Sequence, residues 1–395
     1  MPNGDCHKQP GALAGLKILD FSTLLPGPYA TMMLADLGAE VLSVSAPGRR
    51  DLVKEWSPII EGTEVSGVWS WLGRNKQSIY LNLKKPRALA LVKEMIQEYD
   101  VVVEQFRPGV MKKLGIDYET LQRINPRIIY CSITGYGQDS ARAGHDINYL
   151  ARSGILGAAG HREEGPALYN FQMADVAAGA MNAVVGILAA AYARQTTGQG
   201  QYLDIAMADG LIPFHSMDGA AHLAGAALVK REEGLLNGGS LYDFYETRDG
   251  GYMSVGALEP KFFRALCETL GFPQWADGQA LKTRKKEIKE AFREKFLEKS
   301  RQEWTALFSE VDCCVEPVLD LDEARADERF KAHGLFPEVP LYNHQGSIAQ
   351  LGNPIALSET PVKYAHSGVP TGFHSKAVLR RFGLSEAEIA EVTQA

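Results

Sequence analysis

The run from Lys17 to Val44, KILDFSTLLPGPYATMMLADLGAEVLSV, decides the fold. Lys17-Ile18-Leu19-Asp20-Phe21 is a short apolar stretch of the kind that a strand buried on both faces requires. Pro26-Gly27-Pro28 interrupts it and suits the opening of a helix over residues 29–37. Gly38 stands where a helix C-terminus favours a residue free to adopt positive φ, and Glu40-Val41-Leu42-Ser43-Val44 supplies a second strand. The same alternation continues outward. Residues 78–83, 101–103 and 128–131 read as strands, and Pro86 opens another helix. Strand–helix alternation predicts an α/β fold, with a Rossmann-like parallel sheet covered by helices. The turn after the first strand lacks G-x-G-x-x-G, so the dinucleotide fingerprint is absent.

The pattern changes after residue 205. Residues 241–247 and 252–256, both rich in aromatic and β-branched types, flank Arg248-Asp249-Gly250-Gly251 and predict a β-hairpin. Helical patterns follow at 260–270, 286–298 and 302–309. The expected organisation is a large domain from residues 1–205 and 330–395 and a smaller α+β domain from 225–325. Residues 206–224 and 326–329 would be the linkers. Ser385-x-x-Glu388 has the spacing of a capping box at the start of a final helix. Residues 176–193 carry no charge, but the run is rich in Ala and Gly, with Asn182 inside and Asp175 and Arg194 at its ends. It reads as a buried helix packed through small residues rather than as a membrane span.

A chain of 395 residues with 45% hydrophobic and 23% charged residues is ordinary for a soluble globular protein long enough for two domains. A net charge of −7 argues against a nucleic-acid partner, while leaving room for a local basic pocket. The cysteines Cys6, Cys131, Cys267, Cys313 and Cys314 show no C-x-x-C pair or zinc-ligand spacing, so reduced thiols and no metal are expected. The polar N-terminus lacks the apolar core of a signal peptide, and the chain ends without Ser-Lys-Leu. The expected location is the cytoplasm, with no membrane partner.

Two groups suited to proton traffic stand out. His145 lies in Gly144-His145-Asp146-Ile147-Asn148-Tyr149, and Asp175 directly precedes the small-residue helix. An imidazole can act as neutral base or charged acid near neutral pH. A carboxylate at a helix start is stabilised by the helix dipole, which makes Asp175 a candidate base or nucleophile. Structural roles compete with these: a loop hydrogen bond for His145, an N-cap for Asp175, and caps for Asp146 and for Glu259, which precedes Pro260. Arg49-Arg50, Arg74-Asn75-Lys76, Lys84-Lys85 and Arg107 suit phosphate recognition, or a solvated surface. The absence of a G-x-S-x-G elbow disfavours a Ser–His–Asp hydrolase.

Several segments in order along the chain carry a resemblance. They include Leu25-Pro26-Gly27-Pro28-Tyr29-Ala30, Ala35-Asp36-Leu37-Gly38-Ala39-Glu40-Val41, Gly73-Arg74-Asn75-Lys76 and Phe106-Arg107-Pro108-Gly109-Val110. Thr134-Gly135-Tyr136-Gly137, Gly198-Gln199-Gly200-Gln201-Tyr202-Leu203-Asp204 and Gly372-Phe373-His374-Ser375 extend it to the tail. The chain resembles the family III CoA-transferase superfamily, and within it the branch that racemises 2-methylacyl-CoA thioesters. The resemblance implies an interlocked homodimer and an acyl-CoA substrate, with no cofactor beyond the CoA of that substrate. It implies that His145 and Asp175 are the acid/base pair, with Asp146 beside the aspartate and Glu259 of the second subunit orienting the histidine. Arg49, Arg50, Arg74, Asn75, Lys76, Arg107 and the loop Gly135-Tyr136-Gly137 are the expected substrate and CoA contacts. Two departures stand: Ser43-Val44-Ser45-Ala46-Pro47, where the family often places a basic residue, and Phe171-Gln172 before Met173-Ala174-Asp175, where the racemase branch tends to carry an Asn. The expected reaction is racemisation by 1,1-proton transfer through an enolate, whose oxygen the backbone N–H groups at the Asp175 helix start would hold. The alternative is CoA transfer between carboxylic acids through an acyl anhydride at Asp175. A CoA-binding module without activity is the third reading.

Overall fold

The computed structural model describes residues 10–395; the N-terminal segment with Cys6 lies outside the described residues. The chain forms two compact units. The larger comprises the chain up to Ser153 together with Phe171–Ile212 and Glu328–Ala395, and the smaller Gly154–Asn170 and Pro213–Asp327. Residues 154–170, expected within the large domain, thus group with the smaller unit.

The larger unit is built on six strands: β1 (Lys17–Asp20), β2 (Glu40–Ser45), β3 (Lys76–Tyr80), β4 (Val101–Glu104), β5 (Ile129–Thr134) and β6 (Tyr202–Ala206). They lie in the order β3-β2-β1-β4-β5-β6, every neighbouring pair parallel. Ile18, Leu19, Val101, Val102 and Val103 are wholly buried, which is why these strands read as unbroken apolar runs instead of alternating ones. Parallel neighbours require crossovers, which helices such as Pro26–Asp36 and Pro86–Met95 provide. Each opens with a proline, as its missing N–H would be unpaired in a first turn anyway. Gly38 has φ +106°, and a Cβ there would lie 2.7 Å from the Gly11 backbone, so only glycine closes the first crossover.

The tail explains why both ends of the chain build this unit. On β3, Ser78 N–H donates to His374 Nδ1 (3.1 Å) and Tyr80 N–H to Ser375 Oγ (2.9 Å), while Ser78 C=O accepts from His374 N–H (2.9 Å). The open edge of the sheet is therefore capped by the chain itself. The closing helix Glu386–Thr393 starts at the expected capping box, in which Ser385 and Glu388 exchange hydrogen bonds.

The crossover from β5 to β6 includes a continuous helix, Ala174–Thr197, whose first stretch, Ala174–Met181, has the wide π register. It is long and apolar enough by composition to cross a membrane, with a mean hydropathy of 1.8 over its most apolar window. The expectation of a buried helix is half met. Ala183, Val184, Ile187 and Ala190 face the interior, whereas Val185 and Tyr192 are 66% and 75% exposed.

In the smaller unit the expected hairpin is present as antiparallel β7 (Asp243–Glu246) and β8 (Tyr252–Val255), turning at Gly250 with φ +77°. A third strand, β9 (Val315–Pro317), pairs with β8 and was not legible in the sequence. Helices Pro260–Leu270, Leu281–Phe296 and Arg301–Phe308 pack an aromatic core of Tyr245, Phe292, Phe296, Trp304 and Phe308. The described cysteines are all free thiols.

Candidate active site

In the larger unit the strand order reverses between β1 and β4, and open α/β sheets bind ligands where such a reversal parts the loops at the carboxyl ends of the strands. Two cavities lie there. One, of about 650 Å³, is walled by residues that follow β1, β4 and β5, among them Thr23, Gln105, Arg107, His145 and Asn148. The other, of about 240 Å³, is walled by residues that follow β1, β2 and β3, including Arg49, Lys54 and Leu81. Thr23, Arg49 and Phe106 line both.

His145 is exposed on the wall of the larger cavity, in extended backbone immediately before helix Asp146–Arg152. Its N–H donates to Asn148 Oδ1 at 3.0 Å. The next residue does the positioning. Asp146 Oδ1 accepts from the N–H groups of Ala174 (2.6 Å) and Asp175 (3.0 Å), so one carboxylate ties the His145 loop to the helix that carries Asp175. Asp175 was expected as an N-cap, but it lies inside the first helical turn and Asp146 is the capping carboxylate. The expectation for the enolate oxygen fails for the same reason. The N–H groups of Ala174 and Asp175 bind Asp146, and that of Val176 binds Gln172 C=O at 2.9 Å.

Burial, and then the neighbouring Asp146 charge, push the Asp175 carboxyl up to about 7. Asp146 is also raised by burial, against the lowering effect of its two N–H donors. The Tyr149 phenol, hydrogen-bonded to Gly144 C=O at 2.6 Å, is pushed up to about 12 by burial first and the Asp175 charge second. This region is packed closely enough to require glycine: a Cβ on Gly135 would lie 2.5 Å from the Tyr149 ring. Tyr136 meets that ring edge-on at 5.1 Å, and the Gly137 N–H donates to Thr134 Oγ1. The expected loop thus shapes the wall of the cavity, with Arg142 and Arg152 beside the Tyr136 ring at 5.8 and 5.9 Å.

The expected phosphate contacts divide. Arg49 lies over the Phe106 ring at 5.4 Å and faces both cavities, and Arg107 is exposed at the larger one. Arg50 also borders the smaller cavity but is held by Glu55. Arg74, Asn75 and Lys76 are not available to a ligand. Arg74 is wholly buried, with Nε 2.9 Å and Nη2 2.6 Å from the two Asp36 oxygens and Nη1 on Leu351 C=O. Asn75 bridges Asp36 Oδ1 and Lys363 C=O. Lys76 Nζ donates to Pro28 C=O and Thr31 Oγ1, and burial pulls its ammonium down to about 8. Their basic character suggested a ligand, but all three serve the interior.

Lys54, which the sequence did not single out, lines the smaller cavity beside Arg49 and Arg50. Its Nζ donates to Ser45 Oγ at 2.7 Å and stands 4.1 Å from the Trp69 ring centroid, on the wall of the smaller cavity. Burial lowers its ammonium to about 8, and no carboxylate lies within 4.0 Å of it among the described residues. Glu259 is exposed in the smaller unit and precedes helix Pro260–Leu270, as expected of a residue before an N1 proline. No cluster of three His, Cys, Asp or Glu side chains that could hold a metal occurs among the described residues.

Residues 13–375 match the profile of CoA-transferase family III. The chain belongs to this family. Among curated relatives, α-methylacyl-CoA racemase of Homo sapiens is 35% identical over 386 residues, 96% of each chain. Succinyl-CoA:glutarate CoA-transferase of Mus musculus is 33% identical over 96% of this chain and 88% of its own. A CAIB/BAIF family protein from Brucella suis superposes with a TM-score of 0.82 at 27% identity, covering 94% of this chain and all of that one. The parallel-sheet unit and the smaller antiparallel α+β unit are therefore the family III architecture.

Proposed function

We propose that this family III protein transfers CoA between carboxylic acids, with Asp175 as the group that carries the acyl chain. The observation behind this reading is the Asp175 carboxyl itself, half-buried, raised to about 7 and tied through Asp146 to the wall of the larger cavity. A poorly solvated carboxylate is a strong nucleophile once ionised. Its attack on the thioester carbonyl forms a mixed anhydride and expels CoA thiolate. Attack of the thiolate on the aspartyl carbonyl then releases the first acid and leaves an aspartyl-CoA thioester, which the second acid resolves by the same steps in reverse. Arg49 and Lys54 suit the CoA phosphates at the smaller cavity, where Ser45 holds the ammonium in place of the basic residue that the loop after β2 lacks. The relatives move this reading ahead of the racemisation that the sequence placed first, because transferase names recur among them.

Racemisation keeps second place on one observation, the imidazole of His145 exposed to the same cavity. Transfer has no need of it, whereas 1,1-proton transfer needs a second acid/base. One incubation separates the two: a chiral 2-methylacyl-CoA and an acceptor acid in deuterated water. Movement of CoA to the acceptor, retained in His145→Ala and lost in Asp175→Asn, is the expected result. Deuterium at C2 with the thioester intact, lost in His145→Ala, would establish racemisation instead.

The assembly proposed is a homodimer. The exposed apolar face of helix Ala174–Thr197, with Met181, Val185 and Tyr192, is the surface that a second copy would cover. In that assembly Glu259 of the second copy would complete the site, as the family resemblance implies.

A further inference from the structure

Both reactions place negative charge on one atom, the thioester oxygen, whether a carboxylate adds to the carbonyl or a base removes the α-proton. Stabilising it needs a donor fixed in advance. The backbone donors at the start of the Asp175 helix are already bonded to Asp146 and Gln172. We propose that the Gln105 carboxamide is this donor, an assignment that rests on the acyl-CoA reading of the site.

Gln105 directly follows β4 at the strand-order reversal and lines the same cavity as His145. Its Oε1 accepts the Gly27 N–H at 3.2 Å, which fixes the amide so that its NH2 group is the end left for a ligand. No acceptor for that NH2 occurs among the described residues. The anchor is tight: a Cβ on Gly27 would fall 2.2 Å from the Ser22 side chain and 3.0 Å from Gln105 Oε1. It also lies against the helix that carries Asp175. Pro26, the neighbour of Gly27, packs where a Cβ on Gly179 would lie 3.2 Å away, and Gly179 stands four residues beyond Asp175 on one helix. Asn148 offers a second amide on the cavity wall, but it is exposed, whereas Gln105 is half-buried, where a hydrogen bond to developing charge is stronger.

Gln105→Glu tests this directly, because a glutamate keeps an oxygen for the Gly27 N–H and loses the donor. The expected result is a kcat about 100- to 1,000-fold lower with KM for the acyl-CoA within about threefold. The ratio of variant to wild-type kcat should rise as pH falls, since a protonated glutamate donates again. Gln105→Met, which has neither oxygen nor donor, should show the kcat loss with a ratio that stays flat across pH. A Gln105→Glu kcat within threefold of wild type, a loss confined to KM, or an equally flat ratio for both variants overturns the assignment. Should Gln105→Glu fail to fold, a Gln105→Met kcat within threefold of wild type does the same. Wild-type protein silent in both the transfer and the deuterium assays overturns the acyl-CoA reading, and the Gln105 assignment with it.

Discussion

Asp175 is held in a protonation balance that costs the fold stability. Its carboxyl ordinarily titrates near 3.8 and here near 7, because burial and the Asp146 charge disfavour the ionised form. The folded state therefore binds this proton more tightly than the unfolded chain does. The stability this contributes is fully present below about pH 4 and is lost as pH rises towards 7. Asp175→Asn removes the ionisation and keeps the shape. It should abolish turnover yet be more stable than wild type at pH 8, by on the order of 2 kcal/mol after allowance for partial exposure, with no advantage near pH 4. Urea unfolding of both proteins at the two pH values checks this, and equal stability at pH 8 would refute the burial account. At this scale the sequence marked the candidate side chains, and the resemblance put Asp146 on the side of the aspartate, but neither gave the contacts. Asp146 was a neighbour of His145 along the chain, and only folding placed its oxygen on the Asp175 N–H.

At the scale of elements, local pattern located most of the sheet and misjudged some charged loops. The β1-helix-β2 unit, the β7–β8 hairpin and the Ser385 cap all rest on neighbouring residues, and they appear where the pattern put them. β6 and β9 were missed: Asp204 interrupts the apolar run of β6, β9 has only three residues, and the partners of both lie far away in sequence. The segment Arg74-Asn75-Lys76, which leads from the helix Gly67–Leu72 into β3, looked like a phosphate loop, because charge in a sequence does not reveal whether its partner is a ligand or a buried acid. Arg74→Met leaves the buried Asp36 carboxyl without its cation, held only by the amides of Asn75 and Asn353. It should cost about 3–5 kcal/mol in denaturant unfolding while the folded protein binds CoA with unchanged affinity. A weakened CoA affinity with stability intact would return Arg74 to the ligand. Lys54→Met, by contrast, should weaken CoA binding about tenfold with little change in stability, since burial already disfavours its charge and Asp51 and Asp20 act on the ammonium without forming an ion pair. Calorimetric titration of CoA against both variants separates the two lysine-and-arginine roles.

At the scale of the whole molecule, the proposed homodimer sets Glu259 of one copy against His145 of the other. On the racemisation reading, with Glu259 serving the partner's histidine, His145→Ala and Glu259→Ala each lack half of every site in a homodimer. Co-expressed, they form mixed dimers in which one of the two sites has both native residues. Deuterium exchange at C2, the activity that needs His145, should return to about a quarter of wild type when the two chains pair at random. No recovery in mixed dimers would place Glu259 outside the site. Val185 and Tyr192, exposed on a helix apolar enough to enter a membrane, are the positions at which a charged residue should break the proposed dimer.

The sequence by itself determined the strand–helix alternation, the absence of a dinucleotide loop, the family, and His145 and Asp175 as the residues to watch. Those features are local, carried by hydrophobic period, turn residues and motif order. Tertiary structure alone decided which charges face a ligand, which carboxylate caps the Asp175 helix, and how far Asp175 is lifted. Each of these depends on burial and on partners distant along the chain, and a desolvated charge takes its character from what the fold packs around it.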